Sequence, residues 1–301
     1  MVDITHKSNT LRTAVATAVL TVSSIETIKA IEENKIPKGN IFEMGKAAGL
    51  LAIKKTSDVI PDCHPMPVEA ASVTYDMNGL DITIEVLVKT IYKTGVEVEA
   101  MHGAAIVALT MYDMLKPIDK GIEISKIKLV NKKGGKSDFS QMGKYNLKGS
   151  IMVCSSAIKN GEREDKVAPI ISAYFEKNNI TLNNTFNLPD EEAEIAGTVK
   201  KCCEAGDNLV IAVGGTGLTP GDITPESIIP LLDKRISGIE ETVRSYGQQR
   251  MPYAMFSRSV AGLIGKTIVL VLPGSSKGIK ESLDALFPHI LHAFRTLRPK
   301  D

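Results

Sequence analysis

In the first half of the chain, acidic, basic and soft side chains recur at spacings that could support chemistry. Cys63 and His64 sit in Ile60-Pro61-Asp62-Cys63-His64-Pro65, where flanking prolines stiffen the loop and restrict side-chain direction. A Cys-His pair has the right donor types for a metal, but two ligands without a second cluster make a weak site. Lys93-Thr94-Gly95-Val96-Glu97-Val98-Glu99-Ala100 places two carboxylates two residues apart. If that stretch is extended, Glu97 and Glu99 point to the same side. Asp113 and Lys116 are i and i+3, neighbours on a helix surface. The helical stretch before them is almost uncharged, so it is expected to be buried and to have no solvated face. A charged pair closing such a helix is a candidate site, and the plain alternative is a surface salt bridge.

The second half carries Gly214-Gly215-Thr216-Gly217 directly after the apolar run Leu209-Val210-Ile211-Ala212-Val213. Small residues let a ligand approach the backbone, and exposed N–H groups can cradle oxyanions. Thr224-Pro225-Glu226 reads as a helix start, with Thr224 as N-cap and Pro225 at the first helical position. Leu272-Pro273-Gly274-Ser275-Ser276-Lys277 repeats the device after a second apolar run. Either loop alone would read as a tight turn. Two loops at the same end of neighbouring strands fit the way open α/β sheets bind ligands. Asp190 and Asp222 flank these features and read either as helix caps or as Mg²⁺ ligands facing phosphates. Two other motifs fail. Gly135-Lys136-Ser137 has Val130 where a P-loop needs its first glycine, and Gly215-Thr216-Gly217 has Pro220 where a dinucleotide fingerprint needs its third.

The elements that must position these residues follow from periodicity. Residues 12–22, 70–76, 80–91 and 122–130 read as strands, and 40–57 and 100–115 as helices. The order β-α-β-β-α-β predicts a ferredoxin-like α+β domain. The character changes over 132–147. From 149 onward, uninterrupted apolar strands at 151–154, 209–213 and 266–272 alternate with helices at 165–178, 190–205 and after 275. The last of these helices is expected to carry Ile279, Leu283, Leu286, Phe287, Ile290 and Leu291 on one face. That pattern predicts a three-layer α/β domain with a mostly parallel sheet. The expected domains are residues 1–143 and 148–301.

Across 301 residues, 36 Lys and Arg balance 35 Asp and Glu, and neither half is basic, which argues against a nucleic-acid partner. Local lysine clusters then favour a small anionic ligand. No apolar run reaches membrane-spanning length, and the start lacks a signal pattern. The four cysteines show no disulfide spacing, so a reduced, cytoplasmic protein is expected.

Residues 1–139 resemble the cyclic pyranopterin monophosphate synthase (MoaC) family. The resemblance is carried by Met1-Val2-Asp3, Lys38-Gly39, Lys54-Lys55-Thr56, Cys63-His64-Pro65, Thr94-Gly95-Val96-Glu97, Tyr112-Asp113-Met114, Lys132 and Gly134-Gly135-Lys136-Ser137. It implies conversion of cyclised dihydro-GTP to a cyclic pyranopterin phosphate with loss of pyrophosphate. It places the catalytic aspartate on Asp113 and the catalytic and phosphate-binding lysines on Lys38, Lys116 and Lys132. Substrate binding falls on Cys63, His64, Glu97, Val98, Glu99 and Lys136. Crowded lysines depress one another's pKa, so one of them is expected to serve as a base. The chain departs from the family at Asp62, Val98 and Met101-His102-Gly103. No cofactor is assigned to this domain.

Residues 148–301 resemble the MogA/MoaB-type molybdopterin-binding domain through Gly214–Gly217, Asp222-Ile223-Thr224-Pro225-Glu226, Ser257-Arg258 and Leu272-Pro273-Gly274-Ser275. The resemblance implies adenylylation of molybdopterin with ATP and Mg²⁺. Asp190 and Asp222 would be catalytic and metal-binding, with Gly214, Gly215, Thr216, Gly217, Gly274, Ser275 and Ser276 on substrate. Departures fall at Cys154-Ser155 and Val213. The alternative is a second domain that binds molybdopterin without catalysis. Hexamers in the first family and trimers in the second imply a homo-oligomer.

Overall fold

The structure, a computed structural model, describes residues 1–135 and 146–297. The chain divides into two compact units, residues 1–138 and 139–301. The expected break between residues 143 and 148 lies partly outside the described residues, and Lys136 lies wholly outside them.

In the first unit, β1 (Thr10–Thr21), β2 (Ala70–Asn78), β3 (Asp81–Tyr92) and β4 (Glu123–Lys133) form a sheet in the order β2-β3-β1-β4. Every neighbouring pair is antiparallel. With α1 (Ile25–Glu32), α2 (Ile41–Lys54) and α3 (Thr56–Val59) after β1, and α4 (Glu97–Leu115) after β3, this is the expected ferredoxin-like topology. Strand alternation sets the core. Ala14, Ala16, Ala18 and Leu20 face Ile82, Ile84, Val86 and Val88 on the buried side. Helices α2 and α4 pack closely because glycines line their contact. A Cβ on Gly49 would lie 2.4 Å from the Val107 side chain, and one on Gly103 2.7 Å from Ile53. Sequence periodicity alone misses α1, whose N-cap Ser24 accepts from the Thr27 N–H, and α3. It also overstates the burial of α4. Val98, Leu109 and Tyr112 are exposed, because an apolar helix on a two-layer fold covers the sheet with one face only.

In the second unit, β5 (Leu147–Cys154), β6 (Ile180–Leu188), β7 (Leu209–Val213), β8 (Lys234–Arg235), β9 (Val260–Ile264) and β10 (Thr267–Leu272) form a sheet in the order β6-β5-β7-β10-β9-β8. The first four are parallel, and β9 and β8 add an antiparallel edge. The connecting helices are α5 (Ser156–Lys159), α6 (Ala168–Lys177), α7 (Glu192–Glu204), α8 (Thr224–Ile228), α9 (Ser237–Gln248), α10 (Ser276–Leu286) and α11 (Ala293–Leu297). Both faces are covered. Ile151, Val153, Ile211 and Leu270 pack into one apolar layer, and Met152, Cys154, Ala212 and Val271 into the other. This is why the strands read as unbroken apolar runs. The polar edge strands β6 and β8 and the short β9 escape that criterion. Helix α10 stops at Leu286, so Ile290 and Leu291 belong to a separate turn beyond Pro288.

Candidate active sites

Asp113 lies at the C-terminal end of α4. The Lys38 ammonium donates to its carboxylate at 2.6 Å and to its carbonyl at 2.9 Å, and Lys116 pairs with its other carboxylate oxygen at 2.7 Å. Hydrogen bonds from Lys116 and Lys38 bring the Asp113 pKa down to about 2. Asp113 in turn raises the pKa of Lys116. For Lys116 this runs against the expected depression, because the adjacent carboxylate favours its charged form. The resting ammonium groups are cations suited to bind phosphate and donate protons.

At the other end of α4, Glu97 receives the Lys132 ammonium at 3.0 Å. Both line a cavity of about 320 Å³ with Lys7, Arg12, Lys93 and Lys133. Arg12 is only 9% exposed, and its guanidinium donates to the carbonyls of Tyr92 and Lys93. These four cations were missed from sequence. For Arg12 a signal existed, since it occupies the inward register of β1 ahead of Ala14.

Glu97 and Glu99 do not share a side. Their segment is the first turn of α4, not extended chain, so successive positions rotate apart. Glu99 is 2% exposed, and Val98 between them is exposed. The Cys63 thiol donates to Glu99 Oε1 at 3.2 Å, while Oε2 has no hydrogen-bond partner among the described residues. Burial raises the Glu99 pKa, and burial followed by the hydrogen bond to Glu99 pushes the Cys63 thiol up to about 12. His64 turns away and meets the Val2 carbonyl at 2.8 Å, so Cys63 and His64 form no metal pair. Asp62 holds the N-terminal amine at 2.7 Å. At 1.5 Å per residue, Glu99 and Asp113 stand about 21 Å apart along α4. The residues expected to form one site therefore make two groups at opposite ends of one helix.

In the second unit the two glycine loops meet above adjacent parallel strands β7 and β10. A Cβ on Gly274 would lie 2.9 Å from the Gly214 Cα. Gly214 has φ +100°, and a Cβ there would lie 2.3 Å from the Cys154 carbonyl oxygen. Gly215 has φ +58° and abuts Thr224. Together with Thr216, Gly217, Ser275, Asp190 and Asp222 these residues line a cavity of about 430 Å³. Ser275 caps α10 by accepting from the Gly278 N–H. Ser276 is exposed and does not line the cavity, because it begins the helix instead of ending the loop. Thr224 is the first helical residue and not the cap, a place taken by Ile223.

Asp222 accepts from the Thr219 hydroxyl and N–H, which lowers its pKa, with help from Arg258. Arg258 ties the loop together through the carbonyls of Gly217 and Asp222 and the carboxylate of Glu226. Asp190 and Ser156 bond reciprocally, carboxylate to N–H and N–H to hydroxyl, both at 2.9 Å. Each aspartate thus has a local structural partner and a place on the cavity wall. Among the described residues no three His, Cys, Asp or Glu side chains form a metal cluster. Two carboxylates lining one cavity are nevertheless the ligand type that Mg²⁺ takes, with phosphate and water filling its shell.

Residues 1–135 match the MoaC family, and residues 150–292 match a family described as "Probable molybdopterin binding domain". The chain is 37% identical to the molybdenum cofactor biosynthesis bifunctional protein of Chlorobaculum tepidum, covering 99% of this chain and 94% of that one. It is 30% identical to the protein of the same name from Synechococcus elongatus, covering 100% and 98%. Its first part is 47% identical to the cyclic pyranopterin monophosphate synthase of Listeria innocua, covering 46% of this chain and 86% of that one. With the two halves matching two families in this order, and relatives aligned end to end, the chain belongs to the family of bifunctional molybdenum cofactor biosynthesis proteins.

Proposed function

We propose that the first unit converts cyclised dihydro-GTP to cyclic pyranopterin monophosphate with release of pyrophosphate, and that the second adenylylates molybdopterin with ATP. The observation that carries the first reading is Asp113 held between Lys38 and Lys116. An ionised aspartate fixes two ammonium groups where a phosphate can replace one of its contacts. The lysines then neutralise charge on the departing pyrophosphate, and either can deliver a proton to it. The cationic cavity around Lys132 supplies further phosphate contacts, and buried Glu99 offers an unsatisfied oxygen to a ring N–H or hydroxyl.

Because the two groups stand about 21 Å apart along α4, one substrate cannot span both on one chain. We therefore read the active form as a homo-oligomer, a hexamer or trimer, in which a neighbouring copy brings the Asp113 group to the Glu99 and Lys132 group. The exposed apolar residues Leu11, Leu51, Ile91, Val98 and Leu109 suit such contacts.

In the second unit the glycine loops offer backbone N–H groups to oxyanions, and Asp190 and Asp222 would hold Mg²⁺. Bound there, the ion would offset negative charge on the nucleotide phosphates. No helix among the described residues is long and apolar enough to cross a membrane, and all four cysteines are free, which accords with a cytoplasmic location.

Turnover of cyclised dihydro-GTP by the Lys116→Ala variant, beside light scattering and a thermal melt, tests the first reading. Loss of turnover with the fold and oligomer retained is expected. Retained turnover with a large loss of melting temperature would leave only a structural salt bridge, and a micromolar monomer would refute the shared site. Incubation of the full chain with molybdopterin, ATP and Mg²⁺ tests the second reading. Absence of pyrophosphate in a preparation that still binds molybdopterin would make that unit a binding module.

A further inference from the structure

The cavity of the second unit has an electrostatic imbalance. Two carboxylates, Asp190 and Asp222, line it, and among the described lining residues the only cationic side chain is Arg163. Two other cations near this end are already engaged. Arg258 is bonded to Gly217, Asp222 and Glu226, and Lys277 pairs with Glu281 without lining the cavity. The Arg163 guanidinium has no hydrogen bond or ion pair among the described residues.

Its backbone, in contrast, is held. Residue 163 follows the turn after α5, where Gly161 takes φ +77°. The N–H groups of Glu162 and Arg163 both bond the Ala157 carbonyl. Two residues on, the Asp165 carboxylate accepts from the N–H groups of Val167 and Ala168 at the entry to α6. A held backbone therefore presents a permanently charged, five-donor group to a cavity whose other polar lining is two carboxylates, the hydroxyls of Ser155, Thr216, Thr219 and Ser275, and backbone.

We propose that Arg163 is the phosphate-neutralising residue of the second site: its guanidinium engages a phosphate group of the bound ligand and offsets the charge of Asp190 and Asp222. Phosphate is the ligand chemistry that fits a planar guanidinium lining the same cavity as the two glycine loops. Sequence inspection could not single out this residue. It lies in Gly161-Glu162-Arg163-Glu164-Asp165-Lys166, a charged run that reads as solvated loop.

This inference rests on the second unit binding a phosphate-bearing ligand. The test is calorimetric titration of the full chain with ATP and, separately, with molybdopterin. The proteins are wild type, Arg163→Ala and Arg163→Lys. Arg163→Ala should bind one of the two ligands at least about tenfold more weakly, the scale of a lost charge-assisted hydrogen bond. Arg163→Lys should recover part of that loss. Loss confined to ATP assigns the contact to the triphosphate, and loss confined to molybdopterin assigns it to the phosphate of the pterin. Unchanged affinity for both ligands in Arg163→Ala overturns the role of Arg163 alone. Wild-type protein that binds neither ligand overturns the underlying reading as well. Equal weakening in Arg163→Ala and Arg163→Lys, accompanied by a lowered melting temperature in both, would make the residue structural.

Discussion

Replacing Gly214 by alanine probes whether the two glycine loops must touch the sheet as closely as the structure shows. At φ +100° the new residue would sit in a region that L-residues avoid, and its Cβ would lie 2.3 Å from the Cys154 carbonyl oxygen. The left-handed conformation costs about 1–2 kcal/mol. The contact is with backbone and cannot be relieved by turning a side chain, so the ends of β5 and β7 must part, at about 1–3 kcal/mol for overpacking. Together about 2–5 kcal/mol would be lost from a unit whose whole stability is about 5–15 kcal/mol. At roughly 2–4 °C per kcal/mol for a unit of this size, its melting transition should fall by about 4–20 °C. Gly221→Ala is the control. Gly221 lines the same cavity, yet a Cβ there meets nothing within 4 Å and its φ is not positive, so the melt should not move. The assay is differential scanning calorimetry of the full chain in both variants. A Gly214→Ala melt within 1 °C of wild type, or equal shifts in both variants, would refute the close approach of loop and strand.

Two further outcomes follow from the charged residues. Burial holds the Glu99 pKa above its unfolded value, so the stability linked to its protonated form is full below pH 4.5 and is lost as pH rises through the folded pKa. Glu99→Gln should therefore melt higher than wild type at pH 8 and alike at pH 4; a gain at pH 4 that vanishes at pH 8 would reverse the sign and refute the burial. Asp190→Asn and Asp222→Asn should each slow AMP-adduct formation by about a hundredfold or more, the scale of a lost charge-stabilising group, while calorimetry shows molybdopterin binding largely kept. Unchanged adenylylation in both variants would leave the aspartates as loop braces for Ser156 and Thr219.

Much of this protein is legible in one dimension because its regular elements bury apolar faces with a strict period. Alternation in β1 and β3 and the unbroken runs of β7 and β10 each follow from whether one face or both are covered. The glycine loops are legible too, since Gly214 at φ +100° and Gly215 at φ +58° both lie in the left-handed region that favours glycine. The edge strands β6 and β8 and helix α1 escape periodicity because solvent makes few demands on their outward residues. What each polar residue does depends on partners far away in sequence. Lys38 meets Asp113 across 75 positions, and Cys63 meets Glu99 across 36. Glu97 and Glu99 part because one residue's step on a helix turns the side chain by about 100°, a fact fixed by whether the segment folds as helix or strand. The raised Lys116 pKa is decided by a carboxylate 2.7 Å away, and the free guanidinium of Arg163 by which cations already have partners. Local pattern determines elements because burial is a short-range periodic demand; charge pairing is settled only once the chain has folded and distances are set.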